Sequence, residues 1–394
     1  MIDMKKDIAF IYMDSAEKSM YQPIAREAEK RGYRVRLTDN KFERCEIGFY
    51  CQHVNFPQYS KFSVIMLHDI IQQFGNWPDI WYMEPWNKYD VGFLPSNQWE
   101  ENWTKASGAF YARPRRGVYK VGWPKADVIA DLDIEAYRRS FYREHGLDPG
   151  KKTVLYAPSW ENDGKQDDFV QAMLKLDVNI LIKQYNASET LYPEVYRAIR
   201  AMYELHRDLP RVTILDPATN IFDAILAADI LVSEESSTMA EAAMMGVPSV
   251  SVSDWLIPDV TPSRYPVCHY EFAIVTPKAA LTDCVRDIIA HYDAYRQKIL
   301  DFREKNFSNI GQTARIVMDV VDACVSGQPA AYPALTPAPA VRVPFMKDVK
   351  RRLIQFKLQV YYNWSKQYRI VGALWKGMAS ARHALQALAG RRPS

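Results

Sequence analysis

Asp229-Ile-Leu-Val-Ser-Glu-Glu-Ser-Ser-Thr-Met-Ala-Glu-Ala-Ala-Met-Met-Gly-Val-Pro248 is the stretch on which the fold assignment turns. Ile230 to Ser233 is a short apolar run with the length of a buried strand. A turn of small hydroxyl residues follows, and helical spacing begins near Ser237. Thr238 with Glu241 fits the S/T-x-x-E capping box. Gly246 closes the helix, and Gly246-Val-Pro248 leads into the next strand, Ser249 to Val252. Such a strand, turn, helix and strand form the repeating unit of a parallel sheet covered by helices. A helix start in this position offers free backbone N–H groups and partial positive charge, so Ser236, Ser237 and Thr238 form a phosphate cradle. The same residues also read as an ordinary capped helix.

The pattern repeats on both sides of this segment. Short apolar runs at Asp7 to Tyr12, Tyr33 to Leu37, Ser63 to Leu67, Asp90 to Leu94 and Val118 to Val121 are strand candidates. A helical stretch, Ala16 to Arg31, separates the first two. Gly146, Pro149 and Gly150 mark a pause, after which the alternation restarts. Thr153 to Ala157, Asn179 to Lys183, Val212 to Leu215 and Ile230 to Ser233 then read as strands, with helices at Asp167 to Leu176 and Tyr192 to Arg207. Two such sets predict an α/β protein of two Rossmann-like domains with parallel sheets, over 1–148 and 149–327. Domain pairs of this kind bind ligand in the cleft between them. Pro329, Pro333, Pro337, Pro339 and Pro344 predict a stiff, extended linker over 328–344. Two helical stretches within a basic tail, 345–394, complete the chain.

The 394 residues, 48% apolar and 25% charged, suit a globular protein with a sizeable core and exclude wholesale disorder. The net charge of +3 hides an asymmetry, because residues 341–394 hold twelve Lys or Arg and one acid, Asp348. The rest of the chain is acidic, so the tail predicts an anionic partner. Five cysteines without a Cys-x-x-Cys pair predict a reducing cytoplasm. No long apolar run predicts a membrane span or a signal peptide. Nucleotide-binding glycine motifs, zinc spacing and a serine nucleophile elbow are missing from the sequence. Asp131-Leu-Asp133 reads as a pair of helix-start acids rather than a metal motif.

Glu241-x4-Gly246-x-Pro248, after a strand and a hydroxyl turn, resembles the donor-nucleotide motif of GT-B glycosyltransferases, an architecture shared with nonhydrolysing UDP-sugar epimerases. Further segments resemble the CDP-glycerol glycerophosphotransferase family, which builds teichoic-acid-like polymers. Leu155-Tyr-Ala-Pro-Ser-Trp160 is similar to its LYAPTW strand end, and Asp229 to Ser237 to its Asp-(hydrophobic)2-x2-Asp-Tyr-Ser-Ser segment. Tyr89-Asp90 through Ser96, then Val121-Gly-Trp-Pro-Lys-Ala-Asp127, resemble another of its stretches. Leu67-His68-Asp69 to Gly75 lies where the family carries Trp-His-Gly-x-Pro-Leu-Lys-x2-Gly. The likeness spans roughly Ser63 to Pro248. Here Asp69 replaces the family Gly, Gln72 or Gln73 the Lys, Glu234-Glu235 the Asp-Tyr, and Lys183-Gln-Tyr-Asn186 the Lys-x-His-Pro.

The resemblance implies a GT-B-like transferase moving a phosphopolyol from a CDP donor to a hydroxyl of a lipid-linked saccharide, in cell-envelope polymer or capsule synthesis. His68, at a strand's C-terminal end, is then the general base, with Asp69 to orient it. Ser236, Ser237 and Thr238 hold the pyrophosphate, Glu241 the ribose, and Pro158 and Ser159 line the nucleotide pocket. Lys183 pairs with a donor phosphate or is simply solvated. Arg113 and Arg115 meet an anionic acceptor or form a solvated loop. No metal and no cofactor are required. A UDP-, GDP- or CMP-sugar transferase on the same fold and a non-catalytic membrane scaffold remain alternatives.

In the tail, Val349, Leu353, Phe356 and Val360 recur at helical spacing beside Lys347, Lys350, Arg351, Arg352 and Lys357. Leu374, Met378, Ala381, Leu385 and Leu388 form a second stripe. Basic helices of this kind suit an anionic bilayer; packing on the body or on a second chain is the alternative, and an acidic body argues against nucleic acid. The expected location is the inner face of the cell membrane.

Overall fold

The computed structural model describes residues 7–374 apart from 14, 52–54, 68, 71–79, 110, 188, 190–192, 259–261, 269, 361–363 and 365–369. Contacts divide the chain into two compact units, Met1–Asp127 with Gln312–Ser394, and Val128–Gly311.

The first unit contains β1 (Asp7–Ile11), α1 (Ser15–Lys30), β2 (Arg34–Thr38), β3 (Cys45–Tyr50), β4 (Ser60–Met66), α2 (Ile80–Met83), β5 (Val91–Leu94), α3 (Asn97–Ala106) and β6 (Gly117–Lys120). Its sheet runs β2-β1-β3-β4-β5-β6, with every described pairing parallel. The strands β1 and β5 are buried along their whole length, which is why they read as unbroken apolar runs rather than alternating ones. Strand β3 gave no such run, because Glu46 and Gly48 interrupt it. Gly48 is there for close approach: a Cβ would lie 2.8 Å from the Tyr50 ring and 2.9 Å from Ser60 Cβ on the neighbouring β4. Trp81, Trp86, Trp99 and Trp103 fill the core beside α2 and α3.

The second unit contains α4 (Ile134–His145), β7 (Thr153–Tyr156), α5 (Lys165–Met173), β8 (Asn179–Ile182), α6 (Pro193–His206), β9 (Val212–Ile214), α7 (Ile221–Ala227), β10 (Ile230–Ser233), α8 (Ser237–Met244), β11 (Ser249–Val252), β12 (Ile274–Thr276), α9 (Leu281–Ala290) and α10 (Tyr292–Asn306). Its sheet order is β12-β11-β10-β7-β8-β9, again parallel throughout. Asp133 caps α4 by accepting from the Ala136 N–H at 2.9 Å, so it is a helix-start acid.

The units differ in extent from the segments read off the sequence. Helix α4 lies in the second unit, while α11 (Thr313–Ser326) lies in the first and packs on α1. Charge holds it there: the Arg31 guanidinium contacts Asp319 at 2.8 Å and Asp322 at 2.9 Å. Asp127 accepts from the Thr313 and Ala314 N–H groups at the start of α11, at 3.0 and 2.5 Å.

The proline-rich stretch is extended, as proline dictates, but it is strapped along the first unit rather than standing clear of it. Leu335 N donates to Val118 O of the edge strand β6 at 2.8 Å, and Val341 N to Gly108 O at 2.6 Å. Ala338 N donates to Ser107 Oγ at 2.7 Å, while Arg113 donates to Ala338 O. The strap thereby covers an otherwise exposed sheet edge. Helix α12 (Phe345–Gln359) follows and packs on α2. Its Asp348 accepts from the Tyr111 hydroxyl, and Arg351 lies 4.3 Å from the centre of the Tyr111 ring. No helix among the described residues is long and apolar enough to cross a membrane.

Candidate active site

In an open parallel sheet, ligands bind at the C-terminal ends of the strands. In the second unit β7 and β10 are neighbours, and two turns leave them side by side. One is Ala157-Pro-Ser-Trp160 and the other Glu234-Glu-Ser236. They are tied by a buried lock. Glu234, wholly buried, accepts through Oε1 from Ser159 N and Trp160 N at 3.2 Å each and from Lys165 Nζ at 3.0 Å. Lys165 is 1% exposed and also donates to Trp160 O at 3.0 Å. Ser159 Oγ donates to Glu235 O at 2.7 Å, and Ser233 Oγ to Ala157 O at 2.9 Å. Glu235 in turn pairs with Arg264 at 2.6 Å. The two glutamates standing where the family has Asp-Tyr are thus the groups that shape the two turns. In the sequence they stand only as departures from the family pattern, because their lysine and arginine partners lie 69 and 29 residues away, beyond any local pattern.

Helix α8 starts on this platform. Its cap is Ser236, whose Oγ accepts from Thr238 N at 3.2 Å. The Thr238/Glu241 capping box is therefore corrected by two positions: Thr238 lies inside the first turn, and Glu241 is a buried residue of the helix body. The first-turn N–H groups and the hydroxyls of Ser236, Ser237 and Thr238 remain together at the C-terminal end of β10. Pro158 and Ser159 belong to the adjoining turn. Lys183 follows the end of β8, half-buried, with Nζ 3.2 Å from Gln184 O. Tyr185, standing in place of the family histidine, has its ring 6.0 Å from that of Trp160.

Behind the platform lies a carboxyl that the sequence did not single out for acid–base character. Glu161 is 1% exposed and accepts from Gln184 Nε2 at 2.6 Å, Tyr156 Oη at 2.8 Å and Gln166 N at 3.3 Å. Burial outweighs these hydrogen bonds and pushes its pKa up to about 7.

In the first unit Leu67 with Asp69, Ser96 and Val121 to Pro124, from the segments singled out in the sequence, follow the C-terminal ends of β4, β5 and β6. Strand β4 ends at Met66, two residues before His68, which lies outside the described residues. Asp69 O accepts from Trp99 Nε1 at 2.9 Å, which ties this strand end to the first turn of α3. Ser96 caps α3 after β5, and Val121-Gly-Trp-Pro124 follows β6. Arg113 and Arg115 are not brought to that edge, since both precede β6. Arg115 contacts Asp90 at 2.9 and 3.0 Å. Burial raises the Asp90 pKa, but hydrogen bonds from Arg115 and Ser63 outweigh it and hold the carboxyl below its usual range. Arg113 donates to Ser107 O and to the strap.

Comparison with known proteins follows the same outline. No curated protein matched the sequence. Among solved structures, a variant of the wall teichoic acid polymerase TagF soaked with CDPG superposes with a TM-score of 0.58 at 14% identity, covering 82% of this chain and 89% of that one. The TagF structure itself gives 0.57 at 13% identity, covering 82% and 90%. The UDP-GlcNAc 2-epimerase from Neisseria meningitidis bound to UDP-GlcNAc gives 0.55 at 13% identity, covering 80% and 99%. These likenesses show the GT-B-like fold. The family model for CDP-glycerol:poly(glycerophosphate) glycerophosphotransferase matches residues 83–322, more than half of the chain and the whole of the β7/β10 platform. The chain therefore belongs to the CDP-glycerol:poly(glycerophosphate) glycerophosphotransferases and is a GT-B-like transferase of that family.

Proposed function

We propose that this transferase moves a glycerol phosphate-like unit from a CDP-activated donor to a hydroxyl of a lipid-linked saccharide, at a membrane surface. One observation carries the reading: the N-terminus of α8, with Ser236, Ser237 and Thr238, opens beside the Pro158–Trp160 turn at the C-terminal ends of β7 and β10. That arrangement presents backbone N–H groups and hydroxyls to a pyrophosphate. His68 takes the proton of the acceptor hydroxyl. The acceptor oxygen then forms a bond to the phosphorus that carries the glycerol, the bond from that phosphorus to the CMP oxygen breaks, and CMP leaves. Charge developing on the leaving phosphate is met by the α8 N-terminus and by Lys183. Glu241 is assigned to the ribose and Asp69 to orienting His68. With Asp90 and the strap occupying Arg115 and Arg113, an acceptor role would require both to change partners.

Helix α12 supports the surface location. Around it, Asp348, Arg351, Ile354 and Leu358 turn toward the first unit. Phe345, Met346, Leu353 and Phe356 share the other side and are 60–78% exposed. Lys350 and Lys357 border that stripe on one side and Arg352 on the other. An apolar stripe edged by cations is the form that lies in the headgroup region of an anionic bilayer. The second tail stripe, from Met378 onward, lies outside the described residues.

The test is CMP release from CDP-glycerol by the full chain, presented with a lipid-linked saccharide acceptor on anionic vesicles. Loss of turnover in His68→Ala with donor binding retained is the expected result. Unchanged turnover in that variant would remove His68 as base. Release of UMP or UDP from a UDP-sugar, without CMP release from CDP-glycerol, would replace the phosphopolyol reading with a sugar transferase.

A further inference from the structure

A charged cavity lies on the edge of the second unit's sheet opposite the α8 platform. It measures about 640 Å³ and is formed by one face of α4 and the loop leading into β7. Lys152 and Asp229 immediately precede β7 and β10, so the cavity opens where these strands begin. Four residues at about 3.3 Å each put it roughly 13 Å from the α8 platform. Five cations line it: Arg138, Arg139 and Arg143 from α4, and Lys151 and Lys152 from the loop. Two carboxylates, Glu135 and Asp229, face them.

Carboxylates offset three of these cations and leave two, Arg139 and Arg143, to supply the positive charge. Asp229 is committed to structure, held by Arg138 at 2.7 Å, Lys152 at 3.3 Å and Thr153 N at 2.8 Å. Lys151 pairs with Asp177 at 2.7 Å. Arg139 and Arg143 are exposed and, among the described residues, take part in no ion pair; Arg143 only reaches Ser140 Oγ, at 3.5 Å. They stand one turn apart, about 6 Å along the helix axis. Two unpaired guanidinium groups at this spacing match successive phosphates of a chain better than a single phosphate.

We infer that this cavity binds a segment of polyol phosphate chain, the anionic polymer that repeated rounds of the proposed transfer build on the acceptor. The ligand's identity rests on that reading; the existence of a polyanion site does not. The aromatic groups argue against single-stranded nucleic acid. Lys152 Nζ lies 3.7 Å from the centre of the Tyr292 ring, and the Arg138 guanidinium 5.1 Å from that of Tyr142. With cations over these two rings, nucleobases lack the stacking faces on which such binding depends. A flexible polyol chain needs none. Bound there, the growing polymer stays attached to the enzyme between additions.

The experiment is fluorescence anisotropy of a labelled glycerol phosphate oligomer of about ten units with the full-length protein, at low and moderate salt. Both arginines are exposed, so R139A/R143A should retain the wild-type circular dichroism and melting curve. At least tenfold weaker binding of the oligomer is expected in R139A/R143A. A salt dependence shallower by about 1.4 in log–log slope should accompany it, for two lost phosphate contacts. CMP binding should be unchanged in the same variant. Equal affinity in wild type and variant would overturn the site. Equal or tighter binding of a single-stranded DNA of the same charge would overturn the polyol phosphate assignment. The readout is binding alone, so it stands or falls separately from CMP release.

Discussion

Replacing Lys165 by methionine tests whether the buried lock organises the donor platform. The substitution keeps most of the apolar stem and removes the ammonium. It leaves Glu234, wholly buried, with two backbone N–H groups and the Ser233 hydroxyl but no cation. Removing one partner of such a pair strands a buried charge, at about 3–5 kcal/mol, a large part of a stability of roughly 5–15 kcal/mol. With a urea slope of about 1–3 kcal/mol per molar, the unfolding midpoint should fall by roughly 1–5 M. Replacing both residues, as Lys165→Met with Glu234→Leu, removes the charges together and should recover much of this loss. It should nevertheless weaken CDP binding, because the Ser159 and Trp160 N–H groups lose their acceptor and the turn is no longer held. Equilibrium urea unfolding and CDP titration on the four proteins of the cycle measure both effects. A Lys165→Met cost below about 1 kcal/mol, or zero coupling to Glu234, would refute the lock.

Glu161→Gln should flatten the pH dependence of stability. With a folded pKa near 7 against 4.5 unfolded, the folded state holds the extra proton, so wild-type stability falls as pH rises through this window, by up to ~1.4 kcal/mol per unit, and urea midpoints from pH 4.5 to 7 should show the slope lost in the variant. Gly108→Ala should displace the strap, since its Cβ would lie 2.5 Å from Pro339 O; about 1–3 kcal/mol of destabilisation and faster protease cleavage within 328–344 are expected. Replacing Phe345, Leu353 and Phe356 with serine should abolish sedimentation with anionic vesicles while leaving the melting curve nearly unchanged, because these side chains are 78%, 65% and 60% exposed.

Much of this architecture was legible because parallel strands buried on both faces leave unbroken apolar runs. Ile8 to Ile11, Val154 to Tyr156 and Ile230 to Val232 are all of this kind. What escaped was set by contacts distant in sequence. Strand β3 is masked by Gly48, whose value appears only against Tyr50 and Ser60. Helix α11 joins the first unit through Arg31 and Asp127, which no local pattern connects to it. The proline run correctly forbade helix, but proline content says nothing of Gly108 or Val118, to which the strap binds. At the site, the hydroxyl turn and helix start were readable from local chemistry. The cap shifted to Ser236 because an S/T-x-x-E match does not say which hydroxyl residue leaves helical geometry first. Glu234 and Glu235 look like lost motif residues until Lys165 and Arg264 are seen beside them.

A cytidine-activated polyol phosphate donor held at the α8 N-terminus is the reading on which the proposed reaction depends. Its most direct measurement is calorimetric titration of the full chain with CDP-glycerol, CDP and UDP-GlcNAc, repeated with Ser236→Ala/Ser237→Ala. Binding of the two cytidine ligands, weak or no binding of UDP-GlcNAc, and a marked loss of CDP-glycerol affinity in the variant are expected. Preference for UDP-GlcNAc, or CDP-glycerol affinity indifferent to both serines, would contradict that reading.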